Sequence, residues 1–214
     1  MSKASDFHGK FLLVGGAVRD RMLGLKPKDL DFLFVGDYDV MRQKLLGDGA
    51  KIFLEKPEFK TIRCHHPVHG PSDFQSCDNL IENLRQRDFD INAIAMDLRE
   101  NKWIDHTGRI KAGQAECVKS RRMTTLPGAL IADPIRLIRG LRLANKLNMQ
   151  WTPIPVDLSG CDKERIRAEL QKLFEQCDTK LIINQLYREN LLYILDGFKL
   201  KPVTETENVQ QARI

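Results

Sequence analysis

The sequence predicts an α+β fold, a mixed sheet with helices over residues 1–120 followed by a small all-helical unit over 121–198. Two observations predict it. Short apolar or alternating runs at 11–14, 29–35, 51–55, 60–64 and 91–98 are interleaved irregularly with short amphipathic stretches. They lack the long strand–helix–strand repeat that builds an all-parallel sheet. Beyond Arg121 the period changes: Ile131, Ile135, Ile138, Leu141 and Leu143 recur close to helical spacing, and two more amphipathic stretches follow. Residues 199–214 are expected to form a polar tail.

Taken in order, Phe11–Val14 reads as a strand and Ala17–Leu23 as a short helix ended by Gly24 and Pro27. A strand over 29–35 comes next, then a helix over Tyr38–Leu46 stopped by Gly47. Lys51–Glu55 and Lys60–Cys64 alternate as strands do, and Asp73-Phe74 sits in another short one. Asp78–Leu84 reads as a polar helix, Ile91–Leu98 as a buried strand, and Trp103-Ile104-Asp105 with Gly108 as a hairpin edge. Helices are expected over Gly128–Leu147, Asp162–Glu175 and Thr179–Ile194.

At 214 residues the chain suits one domain, or one with a smaller appendage. Charged residues at 29% and hydrophobic residues at 42% are ordinary for a soluble protein. The formal charge of +5 and a pI near 9.0 suit a polyanionic partner. The five cysteines, Cys64, Cys77, Cys117, Cys161 and Cys177, form no CxxC pair, which argues against a disulfide framework or a zinc site and for a reducing compartment. No apolar run approaches the length of a membrane span, and MSKASDFHGK lacks the apolar core of a signal peptide. The expectation is a cytoplasmic protein with no membrane partner.

The stretch Phe11–Phe34, FLLVGGAVRDRMLGLKPKDLDFLF, carries the most chemistry. Asp29 and Asp31 are two apart in an apolar run, so an extended chain projects both carboxylates from one face. Side by side they repel; Mg²⁺ removes that cost, because it takes oxygen ligands and bridges carboxylates to substrate phosphates. Gly15 and Gly16 let the backbone approach a ligand, and Arg19, one helical turn on, adds a cation. A phosphate cradle beside a metal-binding carboxylate pair equips a protein for nucleotidyl transfer. A plain β–α start with a Gly-Gly turn and solvated aspartates is the alternative.

Other segments add to this set. Asp73 offers a third carboxylate for a two-metal site, or turn chemistry in GPSDF. Arg87 and Asp88, in the segment RDFDIN that ends at Asn92, suit a ribose or phosphate, or form a surface ion pair. Asp133 and Arg136, at i and i+3, offer an acceptor and a forked donor that match a base edge. Asp133 before Pro134 also reads as an ordinary helix N-cap, and Arg136, Arg139 and Arg142 as a solvated or phosphate-facing stripe. Lys163–Arg167 reads as a solvated first turn. His65, His66 and His69 imitate a metal cluster, but Pro67 interrupts any helix that would align them.

In order, GGAVRDRMLG…KDLDF, SDF, RDFDINAIA, WIDHTGRI, DPIRLIRGLRLANKL and ERIRAEL resemble class II tRNA nucleotidyltransferases (CCA-adding enzymes) and bacterial poly(A) polymerases, over about residues 11–195. The resemblance implies a polymerase β-like nucleotidyltransferase head followed by a helical neck. It implies that Asp29 and Asp31 are catalytic and hold Mg²⁺; Asp73 is the expected third catalytic and metal-holding carboxylate from its own position. It also implies a triphosphate site at Gly15, Gly16 and Arg19, a sugar and phosphate site at Arg87 and Asp88, and a protein template for C or A at Asp133 and Arg136. Asn92 and Arg139 complete the expected nucleotide-binding set.

The implied partners are CTP or ATP and an RNA 3′ end, most naturally that of tRNA. Addition of A only or CC only, poly(A) synthesis, and a nucleotide- or RNA-binding homologue without catalysis stay open. The sequence departs from the pattern at Ala132, where the family has Glu, at Gln86, where it has Arg, and at Asp90, where it has Thr. The Arg expected after the DF of SDF is absent, with Cys77 and Asp78 nearby. The family continues into body and tail domains that grip tRNA, so a second copy or partner subunit is the expected substitute.

Overall fold

The computed structural model describes residues 7–105, 110–111 and 114–198. Seven strands form one sheet: β1 (Phe11–Val14), β2 (Leu30–Val35), β3 (Lys51–Lys56), β4 (Thr61–His66), β5 (Gly70–Cys77), β6 (Ile94–Asp97) and β7 (Lys102–Asp105). Their order is β3-β4-β5-β2-β1-β6-β7, and β2–β5 is its one parallel pairing. A mixed sheet is what the sequence predicted.

β1 and β2 lie at the centre with both faces covered, hence their near-continuous apolar runs. Leu13, Phe32 and Phe34 point into the core shared with α1 (Gly16–Met22) and α2 (Tyr38–Gly47). Leu12, Val14, Leu33 and Val35 point into the opposite core, under α3 (Leu80–Arg85). Burying a ring such as Phe34 contributes roughly 2–3 kcal/mol. β4 alternates buried and exposed, because only one of its faces is covered.

Several boundaries differ from expectation, each for a local reason. β5 runs eight residues instead of a short stretch around Asp73, because it pairs along its length with β2 and β4. α3 starts at Leu80 because the Asn79 side chain accepts from the Ile81 and Glu82 amides. β6 starts only at Ile94; the Asp90 carboxylate accepts from the Ile91 and Thr124 amides and bends residues 90–92 into a turn. The helix expected over 128–147 is two, α5 (Ala129–Ala132) and α6 (Arg136–Lys146). Pro134 breaks them, forcing Asp133 out of helical geometry to φ −152° and ψ 96°. α7 (Lys163–Gln176) is close to expectation, and α8 (Thr179–Arg188) stops short where Asn190 takes a positive φ. A short helix, α4 (Glu116–Lys119), precedes these.

α5 to α8 build a second core around Leu137, Ile138, Leu141, Ile166, Leu170, Leu173, Ile182 and Leu186. α6 belongs to both cores, because Leu143, Ala144 and Leu147 enter the one beneath α1. Gly140 sits at the crossover: a Cβ there would run into the Trp151 ring. That ring meets Phe89 edge-on at 5.7 Å, and its Nε1 donates to Thr125 Oγ1 at 3.0 Å. Gly108 and the tail 199–214 lie outside the described residues. No helix among the described residues is long and apolar enough to cross a membrane.

Candidate active site

Strand register assembles the carboxylates. Val14, the last residue of β1, lies opposite Asp31 on β2; Asp31 lies opposite Asp73 on β5; and Asp73 lies opposite Arg63 on β4. A row of three charged side chains therefore crosses neighbouring strands on one face. Asp29 falls in the bend just before β2, so Asp31 is the member of the pair that the strand holds. Asp73 is paired with Arg63 Nε at 3.0 Å. The Asp31 carboxyl opens to solvent, yet the protein packed around it raises its pKa, with Asp73 and Asp29 adding repulsion and Arg87 and Arg63 opposing them.

Gly15 closes this corner. Its backbone has φ 67° and ψ −135°, a region open essentially to glycine. A Cβ at Gly15 would lie 2.9 Å from Arg87 Nη1 and 3.8 Å from Asp31 Oδ2. Gly15, Asp31 and Arg87 thus meet at one point. The Arg87 guanidinium is weakly held: Nη2 reaches Asn83 Oδ1 at 3.4 Å, Nη1 reaches the Asn92 carbonyl at 3.5 Å, and buried Nε has no partner. Burial lowers its pKa, against the pull of Asp88 and Asp31.

Arg19 lies over Gly16, where a Cβ would stand 3.2 Å from its Nη2. Its Nε donates to Asp20 and its Nη1 to Asn92 Oδ1, both at 2.8 Å. From Asn92 a polar chain runs toward the helical unit. Asn92 Nδ2 donates to Asp88 Oδ1 at 2.9 Å, and Arg139 Nη1 donates to Asp88 Oδ2 at 3.2 Å. Arg139 then approaches Glu169 of α7 at 3.7 Å, and Arg142 Nη2 meets the same carboxylate at 3.4 Å. The chain joins Arg19, Asn92, Asp88 and Arg139, four of the predicted residues, and each is half-buried or more.

In the structure Asp133 and Arg136 take separate partners, and the N-cap reading of Asp133 fails. α6 has no side-chain cap, so Asp133 does not close that helix. Asp133 Oδ2 instead accepts from Arg165 Nη2 of α7 at 2.8 Å. The Arg136 guanidinium turns back to the Ala129 carbonyl at 3.3 Å. The donor beside Asp133 is an arginine that the sequence placed in a solvated first turn.

Among the described residues the three histidines are not gathered into a metal-ligand cluster. His66 and His69 stack at 4.7 Å, His69 packs on Phe32 at 4.9 Å, and His66 Nδ1 accepts from the Val68 amide. Burial, with His66 and Arg21 nearby, lowers the His69 pKa. All five cysteines are free, and burial followed by Asp90 pushes the Cys117 thiol up to about 12. Thiolate chemistry has no support here.

The family profile of the poly A polymerase head domain matches residues 11–69 and 49–119. The chain belongs to this family. The CCA-adding enzyme of Francisella tularensis is 33% identical over 176 residues, which cover 74% of this chain and 46% of that protein. The CC-adding tRNA nucleotidyltransferase of Deinococcus radiodurans is 31% identical over 191 residues, covering 77% and 50%. A solved structure, the Thermotoga maritima CCA-adding enzyme complexed with tRNA, matches with a TM-score of 0.73 at 21% identity, over 90% of this chain and 49% of that one. That last likeness concerns the fold. The chain spans about half the length of the curated relatives it matches.

The oxygen donors of Asp29, Asp31 and Asp73 suit a hard divalent cation. Asp29 and Asp31 repel each other and lie beside Asp73, so bound charge would relieve the corner. Among the described residues, no group of three or more His, Cys, Asp or Glu is gathered closely enough to hold a metal; the Arg63 pairing occupies Asp73. Arg63, Arg165 and Glu169 are the site neighbours that sequence reasoning missed. The alternation of β4 marks Arg63 as outward-facing, but only strand register pairs it with Asp73. Nothing in the spacing of ERIRAEL points Arg165 at Asp133.

Proposed function

We propose that this chain is a metal-dependent nucleotidyltransferase that adds CMP or AMP, from CTP or ATP, to an RNA 3′ end, with tRNA as the RNA. The observation that carries the reading is the corner where Gly15, Asp31, Asp73 and Arg87 meet. Relatives named as CCA-adding and CC-adding enzymes support it. The RNA 3′-hydroxyl attacks the α-phosphorus of the nucleotide in line, a new phosphodiester forms, the α–β bridging bond breaks, and pyrophosphate leaves. Asp29 and Asp31, with Asp73 once released from Arg63, would hold one or two Mg²⁺ ions, which supply charge neutralisation and a more acidic attacking hydroxyl.

The protein's own groups do the rest. The Gly15–Gly16 backbone lets the triphosphate come close, and Arg19, fixed by Asp20 and Asn92, faces it without having to order itself. Arg87, with its unpaired Nε and two long hydrogen bonds, has donors left for ribose or phosphate. Asp88, held by Asn92 and Arg139, fixes the sugar end relative to α6. In this reading residues 1–120 perform the chemistry and residues 121–198 read the base through Asp133 and Arg136, with Arg165 holding Asp133.

Primer extension on tRNA ending before C, CC and CCA, with each nucleotide supplied separately, tests this. Incorporation that requires Mg²⁺ and disappears with Asp31→Asn supports it; no incorporation onto any RNA overturns it. Addition of only C or only A would identify a partial activity. A second copy or partner protein that grips the RNA belongs to the same proposal, and sedimentation with and without tRNA checks it.

A further inference from the structure

Beside the carboxylate corner lies a group of cations of which the proposed chemistry uses only Arg19. α1 and the end of α6 share one core, in which Val18 and Met22 join Leu143, Ala144 and Leu147. That packing sets Arg19 of α1 alongside Arg142 and Lys146 of α6, the latter two one helical turn apart on a common face. Lys28 stands in the loop between α1 and β2, immediately before Asp29. Lys28, Arg19 and Arg142 all lie near enough to act on the Lys146 ammonium, whose pKa is lowered by burial first and then by these three charges.

Two of the four are balanced, Arg19 by Asp20 and Arg142 by Glu169, and among the described residues the two lysines are not. The adjacent Asp20 is bound to Arg19 at 2.7 Å. Among the described residues, Lys28 and Lys146 form no ion pair. Arg142 donates to Glu169 and Gln176 through its terminal nitrogens and keeps a buried Nε with no partner. Like charges gathered on an apolar floor repel, and an extended anion offsets that cost along its length.

We infer that Lys28 and Lys146, both exposed, seat the phosphodiester backbone of the RNA strand whose 3′ end reaches Asp29 and Asp31. The inference rests on the RNA-extension reading above. The direction follows from adjacency: a phosphate on Lys28 is one residue from the carboxylates, so the strand runs from the end of α6 past Lys28 into the corner. Arg19 faces Gly16 and serves the incoming triphosphate, whereas the two lysines on the outer side of the seam are left for the strand.

The test measures binding of a fluorescently labelled single-stranded RNA to the full chain by anisotropy, from about 50 to 200 mM salt. It uses the wild type, Lys28→Ala, Lys146→Ala and the double variant, with CTP and ATP binding followed in parallel. Each substitution is expected to reduce the slope of log affinity against log salt by about 0.7, and the double variant to weaken RNA binding on the order of tenfold at the lowest salt. Nucleotide binding stays unchanged, which also reports that the variants are folded, and Lys→Arg at either position restores the RNA. Unchanged slope and affinity would overturn the seat. Loss of nucleotide binding in a variant that melts at the wild-type temperature would instead assign these cations to the triphosphate and equally overturn it. If the wild type extends RNA while the variants bind normally, only the seat fails; if the wild type neither binds nor extends any RNA, both readings fail.

Discussion

The carboxylate corner and the Asp133 corner are built by different means. In the first, Asp31, Asp73 and Arg63 face one another because β2, β5 and β4 are in register, and backbone hydrogen bonds fix that register. In the second, Asp133 sits at a proline break and meets Arg165 across a helix–helix contact through a single ion pair, with Arg165 largely exposed. Chemistry placed on a sheet is held by many bonds. A contact placed between helices is held by few and is the easier to change.

Five substitutions break or sharpen this contrast. The largest effect belongs to Asp31→Asn, which should lower turnover at least ~1,000-fold while making the metal-free protein more stable at neutral pH. The sign follows from its raised pKa. The stability Asp31 contributes is complete below the ordinary carboxylate pKa and is lost as pH rises through the raised value. Asparagine has no such loss, so the two melting temperatures should converge in acid and separate above that window. A variant less stable than wild type at pH 7 would sink the account.

Gly15→Ala tests how tightly the corner is built. It forces a Cβ into φ 67° and against Arg87. The expected cost is about 1–3 kcal/mol of stability, together with weakened CTP and ATP binding. Denaturant titration and calorimetry read both; normal nucleotide affinity would show that the Gly15–Arg87 approach is incidental.

Gly140→Ala probes the joint between the two cores. Overpacking against Trp151 should cost about 1–3 kcal/mol, seen as a melting temperature several degrees lower. A neutral result would mean that the Trp151 ring moves aside freely.

Arg165→Ala should have the smallest effect on stability, under about 1 kcal/mol, because the pair is surface-exposed. Its expected effect is on choice: the ratio of C to A incorporation shifts several-fold. Running Arg136→Ala beside it decides which arginine works with Asp133. If only Arg136→Ala alters the ratio, the Arg165 contact plays no part in selection.

Much of the carboxylate corner was legible because its signals are local. The apolar β1, the Gly-Gly turn and the Asp29/Asp31 spacing lie within one stretch, and period-2 and turn rules read such stretches directly. Asp73 was visible as a candidate, but its position opposite Asp31 depends on a parallel pairing that no spacing announces. Arg63, Glu169 and Arg165 were not legible, since each finds its partner on another element. The helix expected over 128–147 failed for a related reason: the isoleucine period continues through Pro134, although the backbone cannot.

The parallel pairing of β2 with β5 also bears on when the protein becomes competent. β3 and β4 lie between these strands in sequence, so the chain must complete that excursion and return before Asp31 and Asp73 are neighbours. Contacts of such long sequence separation form late, after local helices and hairpins. A refolding chain should therefore regain its helical signal before Asp31 and Asp73 come together.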